Sequence, residues 1–145
     1  MLQLLIVDDD EGHVELIRRN LKRAGILNSV RVFYSGEDAL NYIFRLGPHT
    51  GREGNGHLLV LLDINMPQMD GIEVLRRIKA DPQRKKIPVI MLTTTDNPRE
   101  VERCYELGCS SYITKPVDPG KFMEAISRLG LFISIVSLPS EENAP

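Results

Sequence analysis

The stretch LLVLLDINMPQMDGIEVLRRI, residues 58–78, decides how the chain is built. Leu58–Leu62 is apolar at every position. A strand with one wet face alternates apolar and polar residues, so an unbroken run reads as a strand covered on both faces, as in a parallel sheet between helices. The run ends directly in Asp63. Downstream, Asp70 and Glu73 stand at capping-box spacing, and Ile72, Leu75 and Ile78 point inward from the helix they open.

The same pairing recurs in both directions. Towards the amino terminus, Gln3–Val7 is a second apolar run, followed by Val14, Ile17, Leu21 and Ala24 at helical spacing as far as Gly25. Ser29–Tyr34 is rich in β-branched and aromatic residues and reads as a strand. Ser35-Gly36-Glu37-Asp38 then resembles a capping box ahead of Ala39, Leu40 and Ile43. Towards the carboxyl terminus, Pro88 introduces the strand Val89–Leu92, which ends in Thr93. Asn97 caps a helix with Pro98 at its first position, and Gly108 stops it. Ser111–Thr114 is a short fifth strand leading into Lys115-Pro116, and Asp118-Pro119 opens a last helix carrying Phe122, Ile126, Leu129 and Ile133.

Five strand–helix units with mostly short connections predict an α/β fold: a doubly wound, five-stranded parallel sheet flanked by helices. One domain is expected over residues 1–138, with a loose polar tail at 139–145. Leu46–His57 interrupts the rhythm with four glycines and a proline and reads as a long surface loop. Its GREGNG segment has glycines at phosphate-loop-like spacing, but it precedes a strand instead of joining a strand to a helix, so a flexible loop is the better reading.

A net charge of −2 gives no electrostatic reason to expect nucleic acid or an anionic membrane as partner. Cys104 and Cys109 read as small apolar packing residues in a reducing compartment. No basic segment precedes the first apolar run and no stretch approaches the length of a membrane span, so the expected location is the cytoplasm.

Ligands bind such sheets at the carboxyl ends of the strands. The first strand ends in Asp8, Asp9 and Asp10, the third in Asp63, the fourth in Thr93, and the fifth in Lys115. Asp10 alone reads as a helix N-cap. The set Asp8, Asp9, Asp63, Thr93 and Lys115 has no such structural account, because clustered carboxylates repel unless a cation sits among them. Oxygen ligands with open positions suit Mg²⁺. Metal and lysine around a carboxylate are what a phosphoryl acceptor needs: positive charge neutralises the equatorial oxygens while the carboxylate attacks in line. No glycine-rich turn follows the first strand, which removes the dinucleotide-binding reading.

Four segments carry a family resemblance: VDDD (7–10), LLDINMPQMDG (61–71), MLTT (91–94) and SYITKP (111–116). Together they resemble the receiver domain of bacterial two-component response regulators, from Leu2 to about Leu129. The resemblance implies the flavodoxin-like receiver fold and a signalling protein that catalyses its own phosphoryl transfer and slow dephosphorylation. It implies Asp63 as phosphoacceptor, Asp9 as direct Mg²⁺ ligand with Asp8 acting mainly through water, and the backbone carbonyl of Asn65 as third protein ligand. Thr93 corresponds to the switch hydroxyl, Lys115 to the phosphate-binding lysine, and Pro116 to a proline typically preceded by a cis bond. Tyr112 corresponds to the aromatic that swings inward when Thr93 moves.

The segments DDDEGHVELIRRNLKRAGI, SSYITKPVD and LFISIVSLP, with the long loop before Leu58, are similar, more narrowly, to stand-alone receivers paired with bacterial phytochromes and related sensor kinases. Those usually carry an aromatic pair before a terminal Leu-Pro, and Leu131-Phe132 matches it at one of two positions. The partners implied are a sensor histidine kinase, of phytochrome type, and a downstream protein target or histidine phosphotransfer protein. In the second case the chain is a phosphorelay intermediate. A phosphatase of the haloacid dehalogenase type also uses an Asp nucleophile, but Glu11-Gly12-His13 stands where its small turn belongs, and it would leave Asp63-Ile64-Asn65-Met66-Pro67 unexplained. A pseudo-receiver would lack a key residue, and none is missing. Finally, Leu131, Phe132, Ile135, Val136 and Leu138 spread apolar surface beyond the single stripe a last helix needs, which predicts a homodimer through that helix.

Overall fold

A computed structural model describes residues 2–45, 57–94, 97–115 and 118–128, with residues 126–128 described by backbone alone. In chain order the elements are β1 (Gln3–Val7), α1 (Glu11–Arg23), β2 (Val30–Phe33), α2 (Gly36–Ile43), β3 (Leu58–Asp63), α3 (Gly71–Ala80), β4 (Val89–Thr93), α4 (Pro98–Leu107), β5 (Ser111–Thr114) and α5 (Pro119–Arg128). The five strands form one parallel sheet in the order β2-β1-β3-β4-β5. This is the doubly wound arrangement the alternation of patterns predicts.

Every residue of β3 is buried, because the strand lies between β1 and β4 and helices cover both faces. Its residues divide by parity between two separate half-cores. Leu58, Val60 and Leu62 pack with residues of α2, α3 and α4, while Leu59 and Leu61 pack with residues of α1 and α5. Each leucine removed from water here contributes roughly 1.5–3 kcal/mol.

Helix ends follow local chemistry. Asp10, Ser35, Asp70, Asn97 and Asp118 each accept a backbone N–H from the first turn they precede. Gly108 closes α4 at φ 104°, a conformation other residues resist. The capping box expected at α3 is half formed. Asp70 caps Glu73 N, but the Glu73 carboxylate turns to Arg76 and Arg77 at 2.6–2.8 Å. Two guanidiniums at i+3 and i+4 outcompete one backbone amide, and they hold Glu73 down at a pKa of about 2. Helix α1 ends at Arg23, with Gly25 two residues later at φ 78°.

Cys104 and Cys109 are buried in the α2–α4 half-core, as expected of packing residues, and burial raises their thiols to about 11 and 12. Several expectations lie outside the described residues: the 46–56 loop, the Pro116 peptide bond, Leu129 and Ile133 of the last stripe, the apolar segment 131–138 and the tail. No helix among the described residues is long and apolar enough to cross a membrane.

Candidate functional site

The chain leaves β1 for β2 on one side, then returns past β1 to β3 on the other. The loops after β1 and β3 therefore diverge, which opens a crevice at the carboxyl edge. Val7 pairs with Leu62 in register, so Asp8 comes level with Asp63. Asp63 in turn pairs with Leu92, which sets Thr93 just beyond it. Lys115 N donates to Thr93 O at 2.6 Å and fixes the start of the lysine beside the end of β4.

Asp63 is also held from below. Gly71 N donates to Ile64 O at 2.8 Å, and a Cβ at position 71 would lie only 2.0 Å from Asp63 O. Only glycine lets the start of α3 come this close to the strand end. Between them, Met69 N donates to Pro67 O at 2.8 Å across Gln68, whose φ of 69° marks a tight three-residue turn.

Three carboxylates converge: ligand oxygens of Asp8, Asp9 and Asp63 lie within 4.8 Å of one another. Asp8 and Asp63 are buried, whereas Asp9 is exposed. The Lys115 ammonium sits 2.5 Å from Asp8 Oδ2 and 3.2 Å from Asp63 Oδ1. The lysine thus leans on Asp8 more than on Asp63, while touching both. Burial pushes the Asp63 carboxyl above the usual carboxylate range, and the Asp8 charge pushes it further; Lys115 only partly offsets them. Asp10 serves as the N-cap of α1, and its bond from His13 N holds its carboxyl below the ordinary value.

Asp9, Asp10, His13, Asp63, Asn65, Thr94 and Lys115 line a cleft of about 240 Å³. A larger depression of about 720 Å³ between α2 and α3 holds none of these residues. Thr93 is fully buried at the strand end, and it is its neighbour Thr94 that lines the cleft. Tyr112 is half-buried on the side of the sheet that carries α2, α3 and α4.

His13, which the sequence reading passed over, reaches the lysine: its Nδ1 lies 2.9 Å from Lys115 Nζ. Its place in the first turn of α1, close behind the Asp8-Asp9-Asp10 run, was the available signal.

A parallel five-stranded sheet with an acidic triad and a lysine at its carboxyl edge is the architecture of a receiver-type domain. The chain belongs to the family of the response regulator receiver domain, whose model matches residues 4–127, and so to the proteins of two-component signalling. It is 31% identical over 138 residues to the response regulator Rcp1 of Synechocystis sp., a match covering 94% of this chain and 92% of that protein. Among solved structures it is similar to the bacteriophytochrome response regulator RtBRR, at 36% identity and a TM-score of 0.82, covering 100% of this chain and 86% of that one. A receiver domain from Rhodospirillum rubrum is 45% identical with a TM-score of 0.73, over 94% and 96% of the two chains. The Mn²⁺-bound form of Rcp1 superposes at 0.73 and 31% identity, over 95% and 99%. The family and the phytochrome-associated resemblance expected from the motifs are both found.

Proposed function

We propose that Asp63 accepts a phosphoryl group from the phosphohistidine of a sensor histidine kinase, and that a protein partner reads the modified form. The observation that carries this reading is the buried Asp63 carboxylate, 3.2 Å from the Lys115 ammonium and beside two further carboxylates at the mouth of a small cleft. In the transfer an Asp63 oxygen attacks phosphorus in line, the P–N bond breaks, and the histidine nitrogen leaves with its electron pair. Lys115 draws on a phosphoryl oxygen as charge shifts, and the Thr93 hydroxyl donates to the acyl phosphate.

The donor set also fits Mg²⁺. Three carboxylates against one lysine leave excess negative charge, and hard oxygen ligands with an open cleft suit that ion. Asp8, Asp9, Asp63 and the Asn65 carbonyl would hold it, and bound there it supplies positive charge for the transferred group. The Mn²⁺-bound form of Rcp1 supports a divalent ion at this kind of site. Resemblance to a bacteriophytochrome response regulator supports a phytochrome-type kinase as donor, and membership of the receiver family is consistent with a cytoplasmic location. The chain is then a signalling protein whose only chemistry is on itself, and its apolar carboxyl-terminal residues make it a homodimer.

Incubation with a phosphohistidine donor and Mg²⁺ should label the parent with acid-stable, alkali-labile phosphate. Asp63→Asn keeps the shape but has no carboxylate nucleophile. Equal labelling of that variant would overturn the assignment, and an unlabelled parent would leave a docking module without chemistry.

A further inference from the structure

We infer that His13 is a positioning residue for phosphoryl acceptance: it takes the third hydrogen of the Lys115 ammonium and keeps that charge beside Asp63. The inference rests on the phosphoacceptor reading and adds a residue to it. An ammonium has three N–H donors and no acceptor. Three acceptors surround Lys115 Nζ: Asp8 Oδ2 at 2.5 Å, His13 Nδ1 at 2.9 Å and Asp63 Oδ1 at 3.2 Å. Because lysine cannot accept, His13 Nδ1 must offer its lone pair, so the ring carries its proton on Nε2. That nitrogen faces Asp10 Oδ2 at 4.0 Å.

The ring stands on a rigid support. His13 N is tied to Asp10 Oδ1 at 3.0 Å in the first turn of α1, and Asp10 N is tied to Asp8 Oδ1 at 2.9 Å. The lysine side chain is 6% exposed, and that of His13 is 41% exposed. The imidazole therefore forms the solvent-side wall of the ammonium's pocket. Without it, one hydrogen turns to water on the open side. The shortest remaining contact is then to Asp8, and a flexible four-carbon stem follows it away from Asp63. Displacing a charge that must meet the incoming phosphoryl oxygens is costly, since a shift of about 1 Å at a reacting centre can lower a rate as much as ~100-fold.

A small P–N donor, phosphoramidate, with Mg²⁺ at fixed pH measures acceptance without kinase docking. His13→Phe keeps a ring but removes the acceptor, and His13→Asn returns an acceptor at the δ1 position. Phosphorylation of His13→Phe should be about three- to tenfold slower than the parent. His13→Asn should recover most of the loss. In a Lys115→Met background His13→Phe should add no further loss, since its partner is gone. Parent-like rates in His13→Phe, failure of His13→Asn to recover, or an undiminished effect in the Lys115→Met background would each overturn the inference. Asp63→Asn runs alongside. Labelling of that variant would instead sink the phosphoacceptor reading, so the two failures are distinguishable.

Discussion

Asp63→Asn should stabilise the metal-free protein at neutral pH by about 1–2 kcal/mol. At an effective dielectric of about 20, Lys115 at 3.2 Å attracts the Asp63 charge by about 5 kcal/mol. Asp8, within 4.8 Å, repels it by about 3 kcal/mol at the same dielectric, and exposed Asp9 by about 1 kcal/mol in a medium closer to water. The charges almost cancel, which leaves desolvation of a carboxylate only 5% exposed as the deciding cost. Burial is likewise the foremost cause of the raised Asp63 pKa. An acid whose folded pKa exceeds its unfolded one is favoured by the fold only while protonated. Its stabilising contribution is complete below the unfolded carboxylate value and is lost as pH rises through the folded one. Urea denaturation from pH 4 to 8 should therefore show the parent losing more stability with rising pH than the Asp63→Asn variant. Mg²⁺ at ten times its Kd should return about 1.4 kcal/mol to the parent, and less to the variant at the same concentration. An Asp63→Asn protein no more stable than the parent at pH 7–8 without divalent ions would refute the reasoning.

Other outcomes follow from the same geometry. Gly71→Ala places a methyl against the Asp63 carbonyl, where the nearest atoms are backbone of Asp63 and Ile64 and nothing soft can give way. A loss of about 3 kcal/mol is expected, seen as a Tm lower by roughly 6–12 °C, and a Tm within 2 °C of the parent would contradict it. Thr93→Ala should still take up phosphate but fail to pass the change to Tyr112. Chemical shifts of the Tyr112 ring should move on phosphorylation in the parent only, and equal movement in both would sink the coupling. The carboxyl-terminal segment should hold two chains together, so sedimentation equilibrium should find a dimer in the parent and a monomer in a Phe132→Asp, Val136→Asp double variant. A monomeric parent at micromolar concentration, with and without phosphorylation, would remove the dimer.

Much of this architecture is legible because apolar runs and capping residues are local signals. Gln3–Val7 and Ser111–Thr114 have the boundaries their sequences predict, and Ser35, Asp70 and Asn97 cap as expected. Strand-end position was enough to bring Asp8, Asp9, Asp63 and Lys115 together. Competition between partners was not legible. Glu73 had both a backbone amide and two arginines in reach, and which of them wins depends on rotamers that spacing does not specify. The lysine's preference for Asp8 was hidden for a similar reason. Lys115 follows the edge strand β5, with β4 and β3 between it and β1, so the bond to Asp8 spans the site. His13 escaped notice because its partner is 102 residues away, and a place in the first turn behind the acidic run does not by itself say which group the ring meets.

The two half-cores have a consequence for how such a protein can diversify. The sheet separates the packing of α1 and α5 from that of α2, α3 and α4, and neighbouring residues of β5 serve opposite sides: Tyr112 belongs to one and Ile113 to the other. A lineage can re-cut the outer faces of one helical layer, and the side chains beneath them, without repacking the other layer. New binding partners can thus be acquired on one side of the molecule while the opposite side keeps its old ones, with the acidic edge between them unchanged.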